Sequence, residues 1–203
     1  LHMMPKKDGS WRPCGDYRRL NMQTVPDSYP LPHIQDITAR LHGRKMFCKL
    51  DLVKGYHQVP MAADSVQKTA VTMPFGSFEY LFMPFGLRNA AQTFQRLMDT
   101  IFSDMDNLVS YLDDHLVAGY GVDDTLAALK TTLGRLAENG LTINPDKCVF
   151  MVPEVDFLGH RLNADGLTPL DSHVAAVRDF PRLLDLKGLQ RFLGKLNFYR
   201  RFM

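Results

Sequence analysis

The sequence predicts an α+β domain: an antiparallel sheet with helices on one face. Three observations carry this prediction. Short apolar, β-prone runs come in pairs around turn residues, at 69–73 with 78–82 and at 108–111 with 116–118, the pattern of strands joined as hairpins. A further short-strand pair reads at 148–152 and 155–162. Two stretches, from Ala90 and from about Asp123, repeat apolar residues at helical spacing. Hairpins combined with two such helices fit a layered α+β core.

The elements follow in chain order. The N-terminal part reads as a turn, Asp8-Gly9-Ser10, between two extended arms. Pro26, Pro30 and Pro32 then exclude regular structure up to about His33, because proline fixes φ and has no N–H to donate. Ile34, Ile37 and Leu41 start a short amphipathic helix. Met46 to Leu52 is the first buried strand, and Phe75-Gly76-Ser77 is the turn of the next hairpin. After Pro84-Phe85-Gly86 comes a helix with apolar positions Ala90, Ala91, Phe94, Leu97, Met98, Ile101 and Phe102. The second helix begins near Asp123 or Asp124, either of which can cap it. Leu126, Leu129, Leu133 and Leu136 line its apolar face, and Asn139-Gly140 closes it. A final amphipathic helix runs from about Leu186 to Phe202.

Composition bounds the function classes. With 45% hydrophobic and 23% charged residues, the chain is globular and not disordered. No apolar run approaches the roughly 20 residues that cross a bilayer, and the first residues do not read as a signal peptide. Cys14, Cys48 and Cys148 are few and widely spaced. They fit reduced core thiols of an intracellular protein and not a disulfide framework. Zinc-finger spacing is absent. Residues 1–20 carry +3 and residues 178–203 carry +5, leaving −6 for residues 21–177 within the net +2. Basic ends suit the backbone of a polyanion and an acidic centre suits a metal; solvated basic faces give the same count.

The most informative stretch is Tyr111-Leu112-Asp113-Asp114. Asp is depleted in strand interiors, so the pair reads as a hairpin tip holding two repelling charges. A divalent cation relieves such repulsion. Taken alone, the pair is equally an ordinary solvated turn. Asp51 ends the first buried strand; if that strand neighbours the hairpin, three carboxylates converge on one rim. Carboxylates suit Mg²⁺, and two such ions stabilise the attacking and leaving oxygens of a phosphoryl displacement.

These motifs, in this order, resemble the reverse transcriptases of gypsy-type long-terminal-repeat retrotransposons, relatives of the retroviral enzymes. Lys6-Lys7-Asp8-Gly9-Ser10-Trp11-Arg12 with Asp16-Tyr17-Arg18 is similar to the family's fingers motif. Leu50-Asp51 through Gly55-Tyr56-His57-Gln58-Val59-Pro60 resembles the first catalytic motif, and Tyr111-Leu112-Asp113-Asp114 the second. Met83 to Gln95 resembles the nucleotide-pocket turn and its helix, and Phe157-Leu158-Gly159-His160 the primer grip. Leu189 to Gly194, with Asn197 to Phe202, resembles the segment after the palm.

The resemblance implies a polymerase palm with a partial fingers lobe and the start of a thumb. Fingers would be 1–45 and 61–87, palm 46–60 and 88–163, and thumb or connection 164–203. It implies an RNA-directed DNA polymerase core that uses a primed RNA or DNA template, deoxynucleoside triphosphates and two Mg²⁺ ions, with Mn²⁺ as an alternative. Asp51, Asp113 and Asp114 would be the catalytic metal ligands. Lys6, Arg12, Tyr56, Phe85, Gly86 and Lys147 would form the nucleotide site, with Tyr56 excluding a ribose 2′-hydroxyl. Phe85-Gly86 would open a helix and offer backbone amides to the nucleotide. Lys147 would pair with a catalytic carboxylate or protonate pyrophosphate; an ordinary surface lysine is an equal reading. Leu158 and Gly159 would hold the primer end.

His115 departs from the family's usual apolar residue at its position. It would face the core beneath the hairpin, where a histidine must find a partner or lose its charge. The chain lacks segments similar to ribonuclease H, protease or integrase. It reads as part of a longer polyprotein with ribonuclease H and integrase, or as a decayed, non-catalytic copy that at most binds nucleic acid. Another palm-type nucleotidyl transferase is a further alternative.

Overall fold

The computed structural model describes residues 2–5, 9, 11–182 and 185–198. Strands β1 (His2–Pro5) and β2 (Trp11–Cys14) pair antiparallel, with Met4 opposite Arg12. Helix α1 (Arg18–Gln23) follows, where extended chain is expected. None of its residues is buried, so no apolar period announces it. Asp16 starts it by accepting from the Arg18 N–H and guanidinium. The proline-rich stretch is irregular as expected, and α2 (Ile34–Leu41) buries Ile37 and Leu41.

Strand β3 (Met46–Asp51) is the spine of the molecule, with Phe47, Cys48 and Leu50 fully buried. Each large aliphatic or aromatic side chain so buried contributes roughly 1.5–3 kcal/mol. A 3₁₀ turn, Gly55–Gln58, and the short helix α3 (Ala63–Val66) lead to the hairpin β4 (Val71–Met73) and β5 (Gly76–Phe78). Met73 pairs with Gly76, so the turn is centred on Pro74-Phe75, earlier than Phe75-Gly76-Ser77. Proline second and glycine fourth is the commonest β-turn signature, and it outweighs the apolar pattern of 78–82.

Helix α4 (Ala90–Ile101), hairpin β6 (Leu108–Tyr111) and β7 (Asp114–Gly119), and helix α5 (Val122–Glu138) complete the centre. Helix α5 starts after Gly121, and the Asp124 carboxylate accepts from the Tyr120 N–H instead of capping the helix. Its inward face is Thr125, Ala128, Leu129, Thr132 and Leu136, while Leu126 is exposed. The two threonines turn their hydroxyls onto the Gly121 and Ala128 carbonyls, which lets them occupy a core face where leucines are expected. Gly140, at φ +70°, closes the helix, with its N–H on the Ala137 carbonyl and Leu141 N–H on Leu136.

The last strands pair differently from expectation. β8 (Val149–Val152) joins the central sheet beside β3. β9 (Val155–Phe157), β10 (His160–Asn163) and β11 (Gly166–Pro169) form a separate three-stranded sheet. Met151 at φ +52° and Pro153, which has no N–H, turn the chain out of the first sheet before it can fold back. Helices α6 (Asp171–Arg178) and α7 (Leu186–Phe198) end the described chain. The expected helix end at Phe202 lies outside the described residues.

The central sheet has the order β6-β7-β3-β8. Strand alternation sends Cys48, Leu50 and Val117 to one face, against Phe94, Met98, Ala128 and Leu136 of α4 and α5. Phe47, Leu116 and Ala118 face the other way, against Ile37 and Leu41 of α2 and Phe157 and Leu162 of the small sheet. Among the described residues, no helix is long and apolar enough to cross a membrane.

Candidate catalytic rim

The register of β3 and β7 places Asp51 directly opposite Asp114. Like charges so opposed destabilise a sheet. Each carboxylate leans on a lysine: Lys147 Nζ lies 3.6 Å from Asp51, and Lys49 Nζ 3.7 Å from Asp114. Burial pushes the Asp114 carboxyl above the usual carboxylate range; the charge of Asp51 adds to this, and Lys49 and Lys147 oppose it.

Asp113 occupies the hairpin turn with Leu112, while Asp114 is already the first residue of β7, paired with Tyr111. Leu112 adopts φ +52°, a conformation that two-residue hairpins usually give to Asn, Asp or Gly. The Asp113 carboxylate lies against Gly55, where a Cβ would sit 2.5 Å from Oδ1 and 2.9 Å from Cγ. Gly55 is thus required by close approach. Asp51 and Asp114 face each other across β3 and β7, and Asp113 adjoins Asp114 in the turn. Among the described residues, no three His, Cys, Asp or Glu side chains form a group that could hold a metal ion. Magnesium does not require that: it keeps several waters and commonly takes one or two carboxylates plus substrate phosphates. The opposed Asp51–Asp114 pair, with Asp113 adjoining in the turn, is an oxygen donor set that fits such an ion.

Residues missed in the sequence hold this rim in place. The Asp51 carbonyl accepts from Asn144 N–H at 2.8 Å, and the Asp51 N–H points at Cys148 Sγ at 3.4 Å. The segment carrying Lys147 is therefore laced to β3. Gln58 ties the Gly55–Gln58 turn to Thr142, accepting its N–H and donating to its carbonyl. Gln95 bonds to the acidic turn itself.

The Tyr56 ring packs on Phe85 and Phe94, at 5.2 and 5.3 Å between centroids. Burial first, then the Asp113 charge, raises its hydroxyl pKa, so the ring stands beside the acidic turn. Phe85-Gly86 does not open the helix as expected: α4 starts at Ala90. Asn89 is occupied elsewhere, with its side chain on the Val25 carbonyl and the Asp27 N–H. Gly86 instead turns at φ +96° and gives its carbonyl to Asn21. Asn21, Lys68, Thr69, Arg88 and Thr93 help line a neighbouring cleft of about 520 Å³. Leu158 and Gly159, both at positive φ, form the two-residue turn between β9 and β10. Lys49 Nζ reaches the Asp156 carbonyl of β9 at 3.3 Å, linking that turn's sheet to the rim. Lys6 lies outside the described residues, as does the side chain of Arg12.

His115 is fully buried, with Nδ1 2.8 Å from Ser110 Oγ and its ring against Phe102. Nε2 is buried without a hydrogen-bond partner among the described residues. Desolvation lowers the imidazole pKa from 6.5 to about 4, so the ring is neutral at pH 7. As pH falls through 6.5 the unfolded chain takes up this proton while the folded chain does not. Stability is full above pH 6.5 and is lost down to about pH 4, by about 3 kcal/mol at 1.36 kcal/mol per unit. His115→Ile should remove that loss and add about 1 kcal/mol at pH 7. Urea unfolding at pH 7 and pH 4.5 checks both; an unchanged pH slope would show that His115 does not control it.

A family model described as "Reverse transcriptase (RNA-dependent DNA polymerase)" matches residues 4–162. The chain belongs to the reverse transcriptase family. Its relatives are gypsy-type retrotransposon polyproteins. The Retrovirus-related Pol polyprotein from transposon 297 of Drosophila melanogaster is 38% identical over 99% of this chain and 20% of that protein. The Tf2-3 transposon polyprotein of Schizosaccharomyces pombe is 34% identical over 98% of this chain and 15% of that protein. The chain thus spans a fifth or less of these relatives. Among solved structures, a foamy viral protease-reverse transcriptase in complex with double-stranded DNA is similar with a TM-score of 0.90 and 26% identity. The match covers 98% of this chain and 35% of that one. A foamy viral protease-reverse transcriptase in complex with an RNA/DNA hybrid gives a TM-score of 0.83 at 26% identity, covering 98% of this chain and 27% of that one. The fold is that of the reverse transcriptase palm and fingers.

Proposed function

We propose that this chain is the RNA-directed DNA polymerase core of a retrotransposon polyprotein. It transfers a nucleotidyl group from a deoxynucleoside triphosphate to a primer 3′-hydroxyl on an RNA or DNA template. The observation that carries this is the facing pair Asp51 and Asp114 with Asp113 in the adjoining turn. These three would hold two Mg²⁺ ions, with Mn²⁺ as a substitute. When bound, the ions supply charge stabilisation at the attacking and leaving oxygens.

The chain's own residues orient and select the substrates. Lys147, 65% exposed at its side chain, can trade Asp51 for a phosphate oxygen and protonate the leaving pyrophosphate. Lys6 and Arg12 grip the triphosphate as point charge and planar fork. Phe85-Gly86 shapes the pocket floor, Tyr56 excludes the 2′-hydroxyl, and Leu158-Gly159 holds the primer end. Fingers are 1–45 and 61–87, palm 46–60 and 88–163, and the rest begins the thumb. The polyprotein would also carry ribonuclease H and integrase, in an intracellular setting. The half-satisfied His115 favours one second reading, a non-catalytic remnant that binds nucleic acid.

Tyr56→Ala tests the substrate class. Removing the ring should raise ribonucleotide relative to deoxyribonucleotide incorporation by roughly tenfold or more. Single-turnover extension of a primed RNA template reads the ratio. An unchanged ratio at wild-type rate would make Tyr56 a packing residue only.

A further inference from the structure

Gln95 is a fully buried amide in the apolar stripe of α4, between Phe94 and Met98. An amide costs free energy in such a place unless its polar atoms are paired. All of its bonds but one run to, or behind, the catalytic turn. Oε1 accepts from the Leu112 N–H at 2.9 Å, and Nε2 donates to the Ser110 carbonyl at 3.0 Å. The remaining bond runs from Nε2 to Asp99 at 2.9 Å. The amide orientation is unambiguous, because both Nε2 partners only accept and the Oε1 partner only donates.

The turn needs such support. Leu112 is held at φ +52°, a conformation that persists for a branched residue only where its surroundings enforce it. Asp113 is the next residue. Behind Gln95 the anchoring continues: the Tyr29 hydroxyl donates to Asp99 at 2.7 Å, and Arg96 pairs with Asp27 at 2.6 Å and stacks on the Tyr29 ring at 4.6 Å. A line of hydrogen bonds thus runs from the proline-rich segment through α4 to the acidic turn.

We propose that Gln95 is a positioning residue that fixes the Leu112-Asp113 turn, and with it the Asp113 carboxylate, for nucleotidyl transfer. Its effect on rate rests on the polymerase reading; the clamp itself does not. Gln95→Met keeps length and volume and removes all three bonds. Two measurements test it on the intact chain. Amide hydrogen exchange at Leu112 should accelerate at least tenfold, with the α5 amides unchanged. The maximal single-turnover extension rate should fall at least tenfold, with dNTP affinity within twofold of wild type and more Mg²⁺ required for half-maximal rate. A merely structural role would lower rate only in proportion to the folded fraction, and that result would overturn the proposal. Unchanged Leu112 exchange would overturn it as well. If Gln95→Met does not fold, Tyr29→Phe loosens the same line from its far end and should move both readouts in the same direction by a smaller factor; no movement in either sinks the idea. A wild type that extends no primer defeats the polymerase reading, and the exchange result still decides the clamp.

Discussion

Asp113→Asn is expected to abolish primer extension while leaving the fold intact. The side chain sits in a two-residue turn against Gly55, where an amide of the same shape fits. What changes is charge. A neutral amide does not offset a divalent cation, and losing one preorganised electrostatic partner of a transition state costs on the order of 10²–10³ in rate, or about 3–4 kcal/mol. The rim already carries the opposed charges of Asp51 and Asp114, so removing a neighbouring negative charge should leave thermal stability equal or slightly higher without metal. Added Mg²⁺ should stabilise the wild type more than the variant, by mass action on the folded state. Thermal unfolding with and without Mg²⁺, beside extension assays, separates loss of metal from loss of fold. Extension retained within a few-fold of wild type would contradict this role for Asp113.

Gly55→Ala is expected to have the next largest effect, through position and not charge. The added methyl would sit 2.5 Å from Asp113 Oδ1 and 3.1 Å from Phe94 Cζ. The Asp113 carboxylate is the end of a short side chain and gives way first. Overpacking of this kind costs roughly 1–3 kcal/mol of stability. Displacing a reacting group by about 1 Å costs on the order of 10² in rate. Activity should therefore fall much further than stability, and Tyr56, which packs on the same Phe94 ring, should discriminate sugars less well. Equal, modest losses in both would mean that Gly55 serves packing alone.

The core strands were legible because their apolar residues alternate or cluster. β3 and the apolar face of α4 lie where the sequence puts them, the acidic hairpin does so except that Asp114 already belongs to β7, and Asp51 does end its strand beside Asp114. Less legible were features set by polar bonds. Helix α1 has no fully buried residue and is held by polar bonds of Asp16 and Asn21. The inward face of α5 uses Thr125 and Thr132 where leucines were expected. The partner of β8 was decided by Met151 and Pro153, not by hydrophobicity. In the site, Gly55 and Gln95 lie within the recognised motifs, but their roles are not legible there for the same reason, since a close approach and a side-chain clamp leave no period. One signal was available: a lone glutamine within an apolar helical stripe needs buried partners. The helix start at Ala90 in place of Phe85-Gly86 was hidden because Asn89 spends its side chain on the distant Val25 segment.

The most direct test of the central claim is extension of a DNA primer on an RNA template by this chain, titrated with Mg²⁺ and then with a chelator. The rim of Asp51, Asp113 and Asp114 predicts a product ladder with deoxynucleoside triphosphates that rises with Mg²⁺, vanishes on complete chelation and returns when Mg²⁺ is restored. A ladder that survives complete removal of divalent ions, or no ladder at any Mg²⁺ or Mn²⁺ concentration from a folded chain, would contradict it.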